Sequence, residues 1–251
     1  MAAYDCVMVE IAGGIGTVTL NRPGKLNAFD GPMCRELSAA LRMLSGSDAV
    51  RVIILIGAGR AFCAGADLSV LGEDGTSLVA AGKDVALTIR GAPQPVLAAV
   101  NGPAAGGGAN LALACDYRIA SDQASIGQVF HTLGLVPDWG GSFFLPRLVG
   151  TSRALELVWS ARMVPAAEAL ALGLFDRVVP HAELGVETRR LAELWAAQPV
   201  AAVRRAKEAL YRSEASSLAS MLDLEIAHQN ELFATAEARQ RIGAALSKRS
   251  H

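Results

Sequence analysis

The chain has 251 residues, of which 52% are hydrophobic and 19% are charged, and its formal net charge is −1. This length and composition can bury a large core and exclude a disordered chain. A charge near zero with no long basic run argues against nucleic acid as the main partner.

The first half of the chain alternates apolar strands with helices. Residues 5–11 and 16–21 are β-rich runs separated by glycines, which predicts a hairpin. From Met33 to Leu44, apolar residues recur at helical spacing and predict a helix that ends near Gly46. Three later runs, "VRVIILIG", "PVLAAVNG" and "DYRIAS", are typical of buried strands, and "PAAGGGANLALAC" opens another helix. The alternation predicts a parallel α/β core.

The stretch after the first buried strand, "AGRAFCAGADLSVL", predicts a loop followed by a short helix, and residues 78–91 predict a separate helix. Beyond about residue 150 the chain is helical except for "FDRVVP", which predicts a brief extended piece. We therefore expect a core over residues 1–195 that carries the functional site. Residues 196–251 are expected to form a helical region for trimer assembly.

The four cysteines lie far apart in apolar surroundings and form no CxxC pair, which predicts free thiols in a reducing compartment. The N-terminal "MAAYDCVMVEIAGG" has no basic segment before its apolar residues, unlike a signal peptide. No apolar run reaches the roughly 20 residues that a bilayer-spanning helix needs. These features predict a cytoplasmic protein with no membrane partner.

Common nucleotide, hydrolase and metal motifs do not fit the sequence. No G-x-G-x-x-G follows a strand, no Gly-Lys pair precedes Ser or Thr, and "GGSFF" lacks the last glycine of a nucleophile elbow. The four histidines are scattered along the chain, so no metal site is expected.

Two glycine-containing loops each follow a buried strand: "RAFCAGAD" (60–67) and "NGPAAGGGANLALACD" (101–116). Ligands of parallel sheets bind outside the carboxyl ends of the strands. In the second loop the glycines also precede a helix, whose first N–H groups lack partners. One N–H from each loop, converging on one point, would form an oxyanion hole in which each donor contributes about 3–4 kcal/mol. Alternatively, the glycines only permit close packing of strand and helix.

Four segments carry a resemblance to a known family: "NRPGKLNAF", "AFCAGADL", "PVLAAVNGPAAGGGANLALACDYRIAS" and "GLVPDWGGSFFLPRLVG". In order and spacing they resemble the enoyl-CoA hydratase/isomerase family, the crotonases, from about residue 4 to about residue 248. The resemblance implies an α/β spiral of ββα units with a helical C-terminal region, assembled as a homotrimer or a dimer of trimers. It also implies an acyl-CoA thioester as substrate, with coenzyme A as part of that substrate and no separate cofactor.

The resemblance also implies roles for individual residues. The amides of Ala66 and Gly107 would form the oxyanion hole. Lys248, in the last helix, is a weaker candidate for a CoA contact. The residues implied to line the path of CoA or the acyl group are Lys25, Leu26, Ala28, Ala64, Asp67, Leu68, Gly106, Asn110 and Phe130.

Hydratases of the family use two glutamates, and this sequence has Asn110 and Phe130 at those positions, so a two-carboxylate hydration is not expected. Asp138, in "PDWGG", stands where family isomerases carry an acid, as does a ring-opening isomerase of phenylacetyl-CoA breakdown. A single acid is sufficient to move a proton between two carbons of an enolate. Phe130 beside it would keep the pocket dry and raise the pKa of the acid.

Three functions remain open. The sequence favours an enoyl-CoA isomerase with Asp138 as its acid–base group. A hydratase that uses Asp138 and an ordered water is the second possibility, and a non-catalytic acyl-CoA-binding protein is the third. Asp138 could also simply cap the helix that begins near Gly140.

Overall fold

The computed structural model describes residues 4–249, apart from the side chains of Glu73, Asp74, Lys248 and Arg249. Six strands form the main sheet: β1 (Val7–Ala12), β2 (Ile15–Leu20), β3 (Val52–Gly57), β4 (Val96–Val100), β6 (Tyr117–Ser121) and β9 (Arg177–Val179). They lie in the order β1-β2-β3-β4-β6-β9. The first pair is an antiparallel hairpin and every later pair is parallel. The predicted hairpin and parallel core are confirmed.

Helices lie between and after these strands: α1 (Gly31–Ser45), α2 (Leu68–Gly91), α3 (Gly107–Ala114), α4 (Gly141–Val149), α5 (Thr151–Ser160), α6 (Ala166–Leu172), α7 (Leu184–Ala196), α8 (Val200–Arg212), α9 (Leu218–Phe233) and α10 (Ala236–Arg249). The predicted helix α1 is confirmed, since its apolar stripe from Met33 to Leu44 is buried. Asp30 caps it by accepting a hydrogen bond from the Met33 N–H at 2.9 Å.

The prediction of two separate helices between residues 68 and 91 was wrong, because α2 is continuous over that range. Asp67 caps its first turn by accepting a hydrogen bond from the N–H of Ser69. Gly72 faces open space, so the helix passes through it at a cost of only about 1 kcal/mol. Buried side chains further along, at Leu78 and Val85, hold the helix on the core.

A second, smaller sheet was not predicted. Its strands are β5 (Ala104–Ala105), β7 (Ser125–Gly127) and β8 (Met163–Pro165), in that order. Runs of two or three residues show no alternation that a sequence pattern could reveal. These short strands complete a structural repeat. Both β4-β5-α3 and β6-β7-α4 contain a strand of the main sheet, a strand of the second sheet and a helix, in that order. This is the expected spiral of ββα units.

Apolar side chains cover both faces of the main sheet. On β3, Ile53 and Leu55 belong to the large cluster that includes α1 and α2, whereas Val52 and Ile54 belong to a second cluster with α7. The strand is therefore buried on both sides, as predicted. Because α7 packs on the sheet, the core continues to Ala196, next to the predicted boundary at residue 195.

Two further expectations from composition can be compared with the structure. The four cysteines are free, and three of them are buried (Cys34, Cys63 and Cys115). None of the helices within residues 4–249 combines the length and the apolar character needed to cross a membrane.

The C-terminal helices are joined to the core by a largely buried ion pair. Lys207 of α8 donates to the Asp116 carboxylate at 2.7 Å and to the carbonyl of Gln94 at 2.9 Å. The same carboxylate accepts hydrogen bonds from the hydroxyl of Tyr211 and from the N–H of Val96. The side chains of Lys207 and Asp116 are only 11% and 17% exposed, so each buried charge is stabilised mainly by the opposite charge of its partner.

We expect Lys207→Met to lower the free energy of unfolding by about 3 kcal/mol, because the Asp116 carboxylate then stays buried without its cation. The same substitution at exposed Lys83 is the control and should cost less than about 0.5 kcal/mol. Denaturant unfolding of both variants measures the difference. Equal stability of the two variants would show that the ion pair does not hold α8 to the core.

Candidate functional site

The two glycine loops are bonded to each other at the carboxyl ends of β3 and β4. The Ala105 N–H donates to the Cys63 carbonyl at 2.9 Å, and the Cys63 N–H donates to Pro103 at 3.2 Å. Gly65 has φ +91°, and a Cβ there would lie 2.8 Å from the Ala105 carbonyl oxygen. Only glycine permits this approach. The close approach brings the peptides of Ala66 and Gly107 onto the wall of one cavity of about 430 Å³.

Both peptides have N–H groups to offer. Within residues 4–249, neither the Ala66 nor the Gly107 N–H donates a hydrogen bond to the main chain. Gly107 is the first residue of α3, where helical N–H groups have no partner inside the helix. Two unpartnered donors on one cavity wall can bind a carbonyl oxygen and stabilise negative charge on it.

Two buried asparagines that the sequence analysis did not single out fix the first loop. Asn27 donates through Nδ2 to the carbonyls of Ala58 and Ala61 at 2.9 and 2.8 Å. Asn101 donates to the carbonyls of Gly59 and Ala61. The sequence did contain one signal for Asn27, an asparagine within the turn-rich segment "GKLNAF". Asn27 has φ +57°, a conformation that asparagine tolerates better than most residues.

Asp138 lies on the wall of the same cavity as the two peptides. Its Oδ1 is buried and has no hydrogen-bond partner. Burial raises the pKa of this carboxyl to about 6, because a low-dielectric site disfavours the charged form. The side chain does not cap α4, whose N-cap is Gly140 with no side-chain hydrogen bond. The capping alternative is therefore wrong, and the carboxylate is available to a ligand.

Asn110 is not part of the cavity wall, and its predicted role in substrate binding stays a prediction. Its side chain is fully buried and donates through Nδ2 to the main-chain carbonyl of Asp138 at 2.8 Å. Gln128 in turn donates to Asn110 Oδ1 at 2.7 Å. The amide at this position therefore supports the loop that carries Asp138. Its Nδ2 and Oδ1 thus each have a protein partner, which leaves one N–H and one lone pair of the amide unassigned.

Leu26 is not part of this cavity wall either, and its predicted contact with CoA stays a prediction. It contributes through its main chain, because its carbonyl accepts a hydrogen bond from the Ala64 N–H at 3.0 Å. The predicted CoA or acyl residues that do line the cavity are Lys25, Ala28, Ala64, Asp67, Leu68, Gly106 and Phe130. The side chain of Lys248 lies outside the described residues.

Two other charged residues that line the cavity, Asp67 and Lys25, are already paired. Hydrogen bonds from Ser69, with Arg22 nearby, lower the pKa of Asp67 below its usual range. Lys25 is exposed and lies 3.9 Å from the same carboxylate. Asp67 is thus held as an ionised helix cap, whereas Asp138 has no cation or donor at its buried oxygen.

Aromatic rings enclose the carboxylate. The ring of Phe130 is buried, and Trp139 stacks on Phe29 with centroids 4.1 Å apart. Trp139 has φ +47°, which is strained for a bulky residue and therefore indicates a functional constraint. Among the described side chains, no three His, Cys, Asp or Glu residues are grouped closely enough to hold a metal ion.

Comparison with known proteins adds an independent finding. The family model described as enoyl-CoA hydratase/isomerase matches residues 10–250. A probable enoyl-CoA hydratase of Rhodobacter capsulatus is 39% identical over 98% of this chain and 97% of its own length. A 1,2-epoxyphenylacetyl-CoA isomerase of Escherichia coli is 36% identical over the same shares. The crystal structure of an enoyl-CoA hydratase from Bacillus anthracis superimposes with a TM-score of 0.93 at 36% identity, covering 97% of each chain.

The raised pKa of Asp138 predicts a pH-dependent cost to folding. The unfolded chain ionises this carboxyl near its ordinary pKa of 3.8, whereas the folded protein keeps the proton up to about pH 6. The contribution of Asp138 to wild-type stability should therefore fall as the pH rises from about 4 to 6 and then level off. Because Asp138→Asn removes the ionisation, we expect its melting temperature relative to wild type to increase over that interval and stay constant above it.

Thermal melts between pH 4 and pH 8 measure this difference. The same substitution at the fully exposed Asp48 controls for general charge effects. A difference between Asp138→Asn and wild type that does not change with pH would mean that the carboxyl is not desolvated.

Proposed function

The chain belongs to the enoyl-CoA hydratase/isomerase family, and we propose that it is an enoyl-CoA isomerase that moves a double bond through an enolate. The substrate is an acyl-CoA thioester, and Asp138 is the acid–base group. Ala66 and Gly107 supply the two N–H donors. The observation that supports this most is the Asp138 carboxylate, whose buried Oδ1 has no hydrogen-bond partner, on the same cavity wall as both peptides.

The proposed reaction begins with the thioester carbonyl oxygen accepting hydrogen bonds from the Ala66 and Gly107 N–H groups. The Asp138 carboxylate then takes a proton from C2 of a 3-enoyl-CoA. The electron pair left on C2 is shared with C4 and with the carbonyl oxygen, where the two N–H donors stabilise the growing negative charge. Asp138 returns its proton to C4, which leaves the double bond between C2 and C3. One carboxylate performs both transfers, and no electron is gained or lost overall.

The pKa of Asp138 suits both transfers. A carboxyl with a pKa of about 6 is ionised at neutral pH and is also a stronger base than an ordinary aspartate. Asp67 also lines this cavity, but its charge is used in capping α2 and in pairing with Arg22. The arrangement therefore favours a reaction with a single acid–base group, as an allylic proton shift is.

A hydratase is the second candidate, and the name of the Rhodobacter capsulatus relative favours it. Adding water needs one group to activate the water and another to deliver a proton to C2. Here the amide of Asn110 is bonded to Asp138 and Gln128, and Phe130 has no polar side-chain atom. The Escherichia coli relative, whose name is that of an isomerase, supports the first candidate.

A third possibility is that the protein binds acyl-CoA without turning it over. The raised pKa of Asp138 argues against it, because pure binding gains nothing from burying a carboxyl oxygen that has no hydrogen-bond partner. In our proposal no separate cofactor takes part, since the proton shift is redox-neutral and coenzyme A belongs to the substrate.

We further propose that the protein assembles as a homotrimer or a dimer of trimers through its C-terminal helices. Several large apolar side chains remain exposed on α8 to α10, among them Leu210, Leu218, Ile226 and Phe233. Large apolar side chains left exposed in this number are typical of protein interfaces.

We expect Asp138→Asn to lower kcat/KM for a 3-enoyl-CoA by a factor of about 10² to 10⁴, the usual contribution of acid–base catalysis. The shape of the side chain is kept, so thermal stabilisation by a saturated acyl-CoA should be unchanged. Wild-type turnover by the folded variant would refute the role of Asp138. In the active protein, kcat/KM should rise as the pH increases through about 6, because the carboxylate must be ionised to accept the proton.

Hydration and isomerisation are separated by incubating wild type with crotonyl-CoA and, in parallel, with 3-hexenoyl-CoA. For an isomerase, we expect the enoyl absorbance of crotonyl-CoA to persist and that of 3-hexenoyl-CoA to grow. Loss of the crotonyl-CoA signal would favour the hydratase, and no change with either substrate would favour the binding protein.

A further inference from the structure

Arg22 is not part of the cavity wall, but its side chain bonds to two residues that are. Its Nη1 donates to the Ala28 carbonyl at 2.6 Å, and its Nη2 donates to the Asp67 carboxylate at 3.2 Å. Nη2 also lies 3.0 Å from the carboxylate of Asp30. The side chains of Arg22 and Asp67 are only 19% and 8% exposed, so a permanent positive charge is held behind the wall.

Two peptide groups connect Arg22 to the Ala66 N–H. The Ala28 carbonyl and the Phe29 N–H belong to one peptide group, and this N–H donates to the Gly65 carbonyl at 2.7 Å. The Gly65 carbonyl in turn shares a peptide group with the Ala66 N–H. In a planar trans peptide the C=O and N–H point in opposite directions. The Ala66 N–H therefore points away from Phe29 and ends a chain of hydrogen bonds that begins at the guanidinium.

This chain fixes the orientation of the donor. Phe29 and Ala66 form a parallel β-bridge, and the Asp67 N–H donates back to the Phe29 carbonyl at 2.8 Å. The peptide groups on both sides of Ala66 are thus bonded to Phe29, whose own peptide is held by Arg22. A misplacement of about 1 Å in a catalytic site can cost about 10²-fold in rate.

The chain also strengthens the donor. Hydrogen bonds in series polarise one another, and a bond that begins at an ionised group is stronger than a neutral one. The guanidinium draws electron density toward the Ala28 carbonyl, which leaves each following N–H more positive. The Ala66 N–H is therefore a better partner for an oxygen that becomes negative than for a neutral carbonyl.

The second donor has a different support. The Gly107 N–H shares its peptide group with the Gly106 carbonyl, which accepts a hydrogen bond from the Asn110 N–H at 3.0 Å. That partner is a neutral group in the first turn of α3, so Gly107 depends on the helix dipole. Arg22 thus acts on one of the two donors.

We propose that Arg22 is a positioning residue for the reaction, which orients and polarises the Ala66 N–H through the peptide groups 28–29 and 65–66. The inference rests on the proposed function for the role of Ala66. Since the polarised donor favours the enolate over the neutral thioester, Arg22 contributes to kcat and not to KM. The competing explanation is that Arg22 only stabilises the fold, by pairing with Asp30 and Asp67, the N-caps of α1 and α2.

The test measures enolate formation without turnover. Acetoacetyl-CoA loses a C2 proton to solvent, and the resulting enolate, whose charge is shared by C2 and two carbonyl oxygens, absorbs in the near ultraviolet. We expect this band for acetoacetyl-CoA bound to wild type. Arg22→Lys should lower the ratio of enolate to keto form about tenfold, because an ammonium lacks the fork that holds the carbonyl and both carboxylates. Arg22→Gln, which has no charge, should lower it at least as far.

Arg118 provides a matched control. It also bonds to a carboxylate, that of Asp176 at 2.7 Å, and to a main-chain carbonyl, that of Cys115 at 3.0 Å. The next N–H of that peptide group, on Asp116, donates to the Val96 carbonyl, and none of these residues lines the cavity. Arg118→Lys should lower the melting temperature, as Arg22→Lys does, but leave the enolate ratio unchanged.

Two further measurements separate positioning from a general loss of structure. The affinity of Arg22→Lys for saturated butanoyl-CoA, whose carbonyl stays neutral, should equal that of wild type. With 3-hexenoyl-CoA, kcat of this variant should fall about tenfold at unchanged KM. An equal fall in the affinity for butanoyl-CoA would mean that the variant has only damaged the binding site, which would overturn the inference.

The outcomes distinguish this inference from the proposed function. If the enolate ratio depends on Arg22 but no 3-enoyl-CoA is isomerised, the proposed reaction fails and the positioning role stands. If isomerisation occurs and both Arg22 variants keep the wild-type enolate ratio, only the positioning role fails. Absence of the enolate band in wild type would refute both, since the two N–H groups would then bind no oxyanion.

Discussion

The hydrogen bond from Asn110 to the main-chain carbonyl of Asp138 determines where the carboxylate lies. The loop after the 3-10 turn at residues 129–133 contains a proline, a strained tryptophan and a glycine with φ +85°. Because this backbone conformation is unfavourable by itself, contacts with the rest of the protein must stabilise it. The buried amide gives it a fixed point on α3, the same helix that begins with the Gly107 N–H. One short helix thus positions both the donor and the acid.

This arrangement creates a difference between two carboxylates at one cavity. Asp67 accepts hydrogen bonds and pairs with cations, which lower its pKa, while Asp138 has a buried oxygen without a partner and a raised pKa. Both are aspartates near the same ligand-sized space, so their chemistry depends on surroundings alone. The charge that caps α2 and the charge that our proposal makes reactive are thereby two different groups of one cavity wall.

The parts of the fold that follow from sequence are those with a long repeating pattern. The helix α1 was predictable because its apolar residues recur at helical spacing, and the hairpin and the buried strand β3 because their runs are rich in apolar and β-branched residues. The short strands of the second sheet and the continuity of α2 through Gly72 were not, since packing and a cap at Asp67 determine them. Ala66, Gly107 and Asp138 could be placed together from the motifs. The supporting roles of Asn27, Asn101 and Gln128 could not, because they consist of contacts between residues distant in the chain.

Gly82 lies in the middle of α2, where glycine is unfavourable for a helix. A Cβ on it would lie 1.9 Å from the indole nitrogen of Trp139. A larger side chain at position 82 therefore requires a smaller one at position 139. The two positions are 57 residues apart in sequence, yet the volume of one limits the volume of the other. Homologues with a bulkier residue on the helix are therefore expected to carry a smaller one in place of the tryptophan, so that the pair should covary through evolution.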